Sequence, residues 1–197
     1  MQHGTTRSAR KPRPMMGQQR VSHPASRGFS QIETLACIVV ASLLAALAAP
    51  AMSGQLRHSR ATALQNALVG HLHLARQTAI WQRKPTLLCP SVNGKQCTTT
   101  RNWAEIWLVF TDPDGNRQPD LPTDIIRTGR QPAPATLNLR SSAGRSRVRY
   151  LPDGRNAGSN LTLSICTTTG QLLRQVVVNN SGRVRNGRII EGATCPP

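Results

Sequence analysis

Aromatic side chains, acids and lysine are all scarce in this chain of 197 residues. Two Phe, one Tyr and three Trp make up the whole aromatic set. Several of them fall in apolar runs that read as core, so stacking of bases on an aromatic platform is a poor source of affinity. Asp and Glu together number 8, against 25 Lys and Arg. Catalytic arrangements are missing too. There is no Gly-x-Ser-x-Gly elbow, and His58, His71 and His73, the histidines beyond the basic leader, share one helical stretch without a four-residue pair. No Cys-x-x-Cys spacing occurs and no histidine lies near a cysteine of the soluble part, which argues against zinc. The run Asp112-Pro-Asp-Gly-Asn116 offers oxygens at alternate positions. A calcium loop of the EF-hand kind needs Gly at its sixth position and Glu at its twelfth, where Arg117 and Thr123 stand instead. No enzyme, metal site or cofactor is expected.

What is abundant is arginine, which supplies 22 of the 25 basic residues and a formal net charge of +17. Residues 1–28 hold six Lys or Arg and no acid; without them 19 basic residues face 8 acidic ones, leaving +11. Such an excess points to an anionic partner, nucleic acid or lipid headgroups. An alkaline proteome from a GC-rich genome produces the same excess without a partner, and composition does not separate the two.

From Ile32 to Met52 the residues are almost all apolar, enough to span a hydrocarbon core of about 30 Å as a helix. Glu33 is the exception. A carboxylate costs roughly 2.5–3.5 kcal/mol at the centre of a bilayer and less near the end of a span; pairing with a cation in an assembly is the simplest reason to keep it. Gly28-Phe29-Ser30, then Ile32-Glu33, then an apolar run with Pro50 near its end, resemble the prepilin signal of type IV pilins and type II secretion pseudopilins. The resemblance implies that a membrane prepilin peptidase cuts between Gly28 and Phe29 and methylates Phe29, and that Glu33 registers subunits in a filament. Gln31, Thr34 and Cys37 depart from the usual aliphatic pattern. A secretory signal would need a small-residue cleavage site after the apolar segment, and Ala48-Ala49-Pro50-Ala51-Met52 is a poor one. The basic residues 1–27 stay cytoplasmic by the positive-inside rule; Met15 and Met16 are alternative starts.

The expected organisation is a leader over 1–28, a transmembrane or filament-core helix over 29–52, an amphipathic helix over 53–82 and a β-rich domain over 83–197. Leu56, Ala61, Leu64, Leu68, Leu72, Ala75 and Ala79 form one apolar stripe, with Arg57, Arg60, Gln65, Arg76 and Arg83 largely off it. Pro50 is expected to kink the helix, whose whole length would be on the order of 80 Å at 1.5 Å per residue. Strands are expected at Thr86–Cys89, Trp103–Phe110, Ile125–Thr128, Thr136–Leu139, Ser146–Leu151, Leu161–Cys166, Leu173–Asn179 and Arg183–Arg185, separated by turns such as Asp112-Pro-Asp-Gly115, Pro152-Asp-Gly154 and Asn180-Ser-Gly182. Together they give an α+β fold with two antiparallel sheets. The proline-rich stretch 112–135 reads as the least ordered loop. Four cysteines follow the apolar segment, an even number that reads as disulfides in an oxidising compartment. Three pairings are possible; we take Cys89 with Cys97, closing a short loop, and Cys166 with Cys195, tying the C-terminus to a late strand.

Leu88-Cys89-Pro90-Ser91 before Cys97, Trp103 before Trp107-Leu-Val-Phe110, the Asp112–Asn116 turn, Tyr150-x-Pro-x-Gly154 and Gly182-Arg183 also resemble the globular domain shared by the minor pseudopilin GspH and the minor pilin FimT. Glu105-Ile106 stands where that family often has glycine. The resemblance implies a single-pass protein of the bacterial inner membrane with a periplasmic domain, whose partners are other pilins in a pilus or pseudopilus.

In Gly182-Arg183-Val184-Arg185 a strand turns both arginines to one face and Val184 to the core, while Gly182 frees the backbone to approach a ligand. Guanidinium forks match phosphate oxygens in a way that ammonium does not. Gly-Arg-x-Arg resembles the DNA-contacting motif of FimT-type minor pilins involved in natural transformation, which implies double-stranded DNA as a partner of Arg183 and Arg185; Arg188 joins them by proximity. Arg145, Arg147 and Arg149 repeat the alternation, with Val148 and Tyr150 inward, and read as a solvated edge strand whose charges deter aggregation. The alternative function is a structural pseudopilin or pilus-assembly initiator with no role in DNA binding.

Overall fold

The computed structural model describes residues 28–103, 105–131, 136–190 and 192–196; within its first helix the side chains of 47–53 fall outside the described set. Helix α1 covers Gln31–Gln82 and is followed by eight strands: β1 (Thr86–Ser91), β2 (Ile106–Thr111), β3 (Ile125–Arg130), β4 (Leu137–Ser141), β5 (Val148–Tyr150), β6 (Leu161–Thr167), β7 (Leu172–Val178) and β8 (Val184–Asn186). They form two antiparallel sheets, ordered β3-β2-β1-β5 and β4-β6-β7-β8. This is the α+β arrangement of one long helix and two antiparallel sheets that the sequence leads one to expect.

Contacts divide the chain into two units, residues 1–45 and 46–197. In the first, Gly28, Phe29 and Ser30 precede the helix, whose opening turn contains Glu33. A carboxylate there complements the positive end of the helix dipole. Phe29, Ile32, Leu35, Ile38, Val39, Val40, Leu43 and Leu44 are all exposed, while Thr34 and Ser42 turn their hydroxyls back onto the carbonyls of Gln31 and Val39. Among the described residues no helix is long and apolar enough to cross a membrane. The expected span over 29–52 and the kink at Pro50 run into residues 47–53, and the leader over 1–27 lies outside the described residues altogether.

In the second unit the stripe packs as its period requires. Ala61, Leu64, Leu68, Leu72, Ala75 and Ala79 are fully buried against Leu88, Trp107 and Val109 of one sheet and Leu139, Leu163, Ile165 and Val176 of the other. Each such leucine contributes about 1.5–3 kcal/mol by leaving water. Two expectations for this helix are corrected. Leu56, at the start of the stripe, is half exposed. Gln65, placed off it, is buried and donates from Nε2 to the Gln175 carbonyl at 2.9 Å, so its amide is satisfied by β7 and not by water. The helix stops where Arg83 takes a left-handed φ of 52°, two residues before Pro85.

Trp103, expected inside the second strand, lies before it. Its N–H donates to Leu139 at 2.9 Å and Ser141 donates to Arg101 at 3.0 Å, so residues 101–103 pair with β4 and lace one sheet to the other. Trp107 faces Gly129 across the β2–β3 ladder, and a Cβ at Gly129 would overlap the indole. Of the stretch 112–135, the described residues 112–131 are better ordered than the prolines suggest. They contain β3 and a 3-10 turn at Pro122–Asp124, and Gln118 both accepts from the Cys97 N–H at 2.8 Å and donates to the Cys97 carbonyl at 3.2 Å. These loops roof a small second core of Leu87, Cys89, Cys97, Leu108 and Phe110 on the outer face of the first sheet.

Candidate nucleic-acid interface

Cys89 is bonded to Cys97 and Cys166 to Cys195, with Cα atoms 5.6 and 6.0 Å apart; Cys37 is free and exposed. The second bond fixes the chain beyond β8. Cys195 donates its N–H to Gly170 and Leu172 donates to Ala193, so the C-terminal segment lies along the β6–β7 turn.

β8 forms one edge of the second sheet, pairing Val178 with Val184 and Val177 with Arg185. Val184 packs against the main core, while Arg183, Arg185 and Arg188 are exposed. Among the described residues none of these three guanidinium groups has a carboxylate partner. The turn before them is held from three sides. Gly182 and Arg183 donate backbone N–H groups to the carbonyl and side-chain oxygen of Asn179, both at 2.9 Å. Gly182 has φ 78°, and a Cβ there would overlap the carbonyl oxygen of Gly154. The glycine is thus required twice, by its left-handed backbone and by the close approach of the 151–154 turn.

The third support was not evident from sequence. Arg76 of α1, off the apolar stripe, donates from Nε to Gly154 at 2.9 Å and from a terminal nitrogen to Ser181 at 3.3 Å, clamping both turns at once. Tyr150 is buried beside it; burial pushes the phenol well above its ordinary pKa, against the opposing pull of the Arg76 charge. An arginine on the polar face of the helix and two Gly-containing turns far along the chain are the sequence signs of this clamp, and they carry no register.

The arginines of 145–149 have a different setting. β5 is an edge strand, as expected, and Val148 and Tyr150 point into the core. The charges on it are not simply solvated. Arg145, Arg147 and Arg149 are half-buried and line, with Arg117, Ser146 and Ala157, a cleft of about 240 Å³. Arg149 Nε lies 3.8 Å from Oδ2 of the fully buried Asp112, whose Oδ1 accepts the Arg117 N–H at 3.0 Å. Burial lowers the pKa of the Arg147 guanidinium, the neighbouring Arg117 charge lowers it further, and Asp112 opposes both. Between cleft and β8 turn, Arg155 pairs with Asp153 at 2.6 Å in the open. Among the described residues no three His, Cys, Asp or Glu side chains gather as a metal site would need.

A helix sharing one core with two four-stranded antiparallel sheets places this chain in the class of pilin-like proteins. The family model described as type II transport protein GspH matches residues 64–182, well over half of the chain, and the chain belongs to that family of minor pilins and pseudopilins. Its fold is similar to the type IV minor pilin FimU of Pseudomonas aeruginosa, at 17% identity and TM-score 0.49 over 64% of this chain and 90% of that one. GspH of Escherichia coli is similar at 15% identity and TM-score 0.46, covering 66% and 89%, and the minor pseudopilin EpsH of Vibrio cholerae at 15% and 0.42, covering 61% and 92%. No curated protein sequence matches the chain.

Proposed function

We propose that the chain is a minor type IV pilin that binds extracellular double-stranded DNA through Arg183 and Arg185, with Gly182 and Arg188 beside them, for uptake in natural transformation. The observation that carries the reading is a rigid turn presenting exposed arginines, unpaired with any described carboxylate, from a sheet edge whose Val184 is anchored in the core. Arginine forks on such an edge contact neighbouring phosphates and read no bases. Binding is then sequence-independent and weak, at about 10⁻⁴–10⁻⁶ M under physiological salt. In gel shifts of the full chain in neutral detergent, Arg183→Ala with Arg185→Ala lowers affinity on every duplex and reduces the salt slope by roughly two contacts. Lysine at both positions restores part of it. A folded double-alanine variant with unchanged affinity and salt slope places the site elsewhere.

The same reading has prepilin peptidase cut between Gly28 and Phe29, the inner membrane hold the apolar helix, and Glu33 register the subunit among other pilins. Gly28→Ala then leaves a full-length precursor in membranes, and Glu33→Val permits cleavage but impairs incorporation; mass spectrometry of the mature N-terminus and filament yield check the two. Membership of a family described as type II transport proteins is equally consistent with the second reading, a structural pseudopilin or assembly initiator without DNA. That reading keeps the effects at Gly28 and Glu33 and predicts none at Arg183 and Arg185.

A further inference from the structure

The cleft beside β5 has an excess of donors that the protein does not answer. Arg145 gives one terminal nitrogen to the Ser159 carbonyl, and its guanidinium lies on Gly158, where a Cβ would overlap it. Arg147 reaches the Arg117 carbonyl only at 3.4 Å. The Nε atoms of Arg145 and Arg149 are buried and have no hydrogen-bond acceptor among the described residues, because Asp112 stands at ion-pair distance from Arg149 but beyond hydrogen-bond length. Among the described residues, four guanidinium groups therefore crowd one cleft over a single buried carboxylate. Like charges packed this way repel, and buried donors left without acceptors cost free energy. A ligand that supplies several anionic oxygens at once removes both penalties.

We infer that the cleft formed by Arg117, Arg145, Arg147 and Arg149 is an oxyanion site that takes one phosphate group. A carboxylate offers two oxygens and satisfies one fork; a phosphate offers oxygens in several directions and suits forks that converge from more than one side. Two segments build the cleft: the turn after β2 holds Arg117 at a left-handed φ of 69°, and residues 145–149, which lead into β5, hold the other three. The turn is tied down by the bond from the Arg117 N–H to Asp112, so the site is largely formed before a ligand arrives. Two sources supply the same chemistry, a free phosphate ion and a phosphodiester of a DNA strand. The second is within reach because Ala157 of the cleft also borders the groove of Arg155, Asn156, Asn180 and Ser181 that leads to the β8 turn. The site does not depend on Arg183 and Arg185 being the DNA contacts.

The full chain in neutral-detergent micelles is melted against inorganic phosphate, with sodium chloride and sodium acetate at matched ionic strength as controls. Wild type shows a saturable rise in melting temperature with phosphate that neither control gives. Arg147→Gln and Arg117→Gln, the second at an exposed side chain whose loss leaves the core untouched, each weaken that response by about tenfold or more, the loss expected for a charged hydrogen bond. The general stabilising effect of phosphate as a salt persists in the variants and is subtracted by them. A response absent in wild type, undiminished in both variants or matched by acetate overturns the proposal. A second arm measures the salt slope for duplex DNA in the Arg183→Ala, Arg185→Ala background. A further fall on adding Arg147→Gln assigns the occupant to a DNA phosphodiester, and an unchanged slope assigns it to free phosphate.

Discussion

Residues 144–149 and 182–185 have nearly the same local pattern, a glycine of positive φ followed by alternating arginines that lead into an edge strand, and the fold makes different things of them. At β8 the arginines stand in solvent on a turn pinned by Asn179, Gly154 and Arg76. Ahead of β5 the turn glycine, Gly144, has open space where a Cβ would stand, and the arginines that follow are pressed into a cleft with Arg117 and Asp112. One edge leaves its arginine side chains in solvent; the other draws them into a cleft. Alternation states which way a side chain points. It does not state what waits there.

The largest test of this contrast removes the Cys166–Cys195 bond, which closes 29 residues around β8 but leaves β5 outside its loop. Replacing both cysteines by serine costs about 3–4 kcal/mol on chain-entropy grounds. Amide exchange then speeds up over 187–195 and leaves 148–150 unchanged; equal loosening at both edges shows that the bond does not act locally. A smaller effect compares the two glycines. Gly144→Ala adopts a left-handed backbone in open space and costs about 1–2 kcal/mol. Gly182→Ala adds the overlap with Gly154 and costs about 2–3 kcal/mol or more. Melting curves of the two variants check the order, and equal losses refute the tight packing of the β8 turn.

The smallest effect lies between the edges. The Arg155 backbone N–H and then its side chain hold the Asp153 carboxyl below its ordinary pKa. A depressed carboxylate stabilises the fold above its unfolded pKa of about 3.9 and ceases to do so as pH falls through the folded value. Arg155→Gln removes the side-chain part of that support. Its melting temperature lies slightly below wild type at neutral pH, and the two curves converge in acid; a gap that persists at the acid end points to lost packing instead.

Most of the fold was legible because it is local. The spacing of Leu64, Leu68 and Leu72 fixes the buried face of α1, and alternation with turn chemistry marks every strand, if not its ends. Of the three possible cysteine pairings, the one chosen for its short loop and its tie to the C-terminus is the one that forms. What sequence did not show is tertiary in origin. Gln65 looks like a solvent residue until Gln175 is placed beside it, and Leu56 looks like core although half of it is exposed. Arg117 lies 28 residues from Arg145, so no window contains the cleft, and Arg76 is separated from both turns that it clamps by some 80–100 positions. Prolines in 112–135 mark a lack of donors, and the side-chain bonds of Gln118 and Asp112 compensate in a way that composition does not register.

The Arg76 clamp has a mechanical consequence. β8 is three residues long and paired on one side only, so a pull on its arginines applied outward would peel it from β7 one bond at a time. With Ser181 and Gly154 both bonded to one guanidinium on α1, the load enters the helix before it reaches the sheet edge. Force is then shared between two turns and a helix whose leucines are locked in the core. An outward load on the turn that carries Arg183 would therefore be borne by the helix as well as by the edge of the sheet.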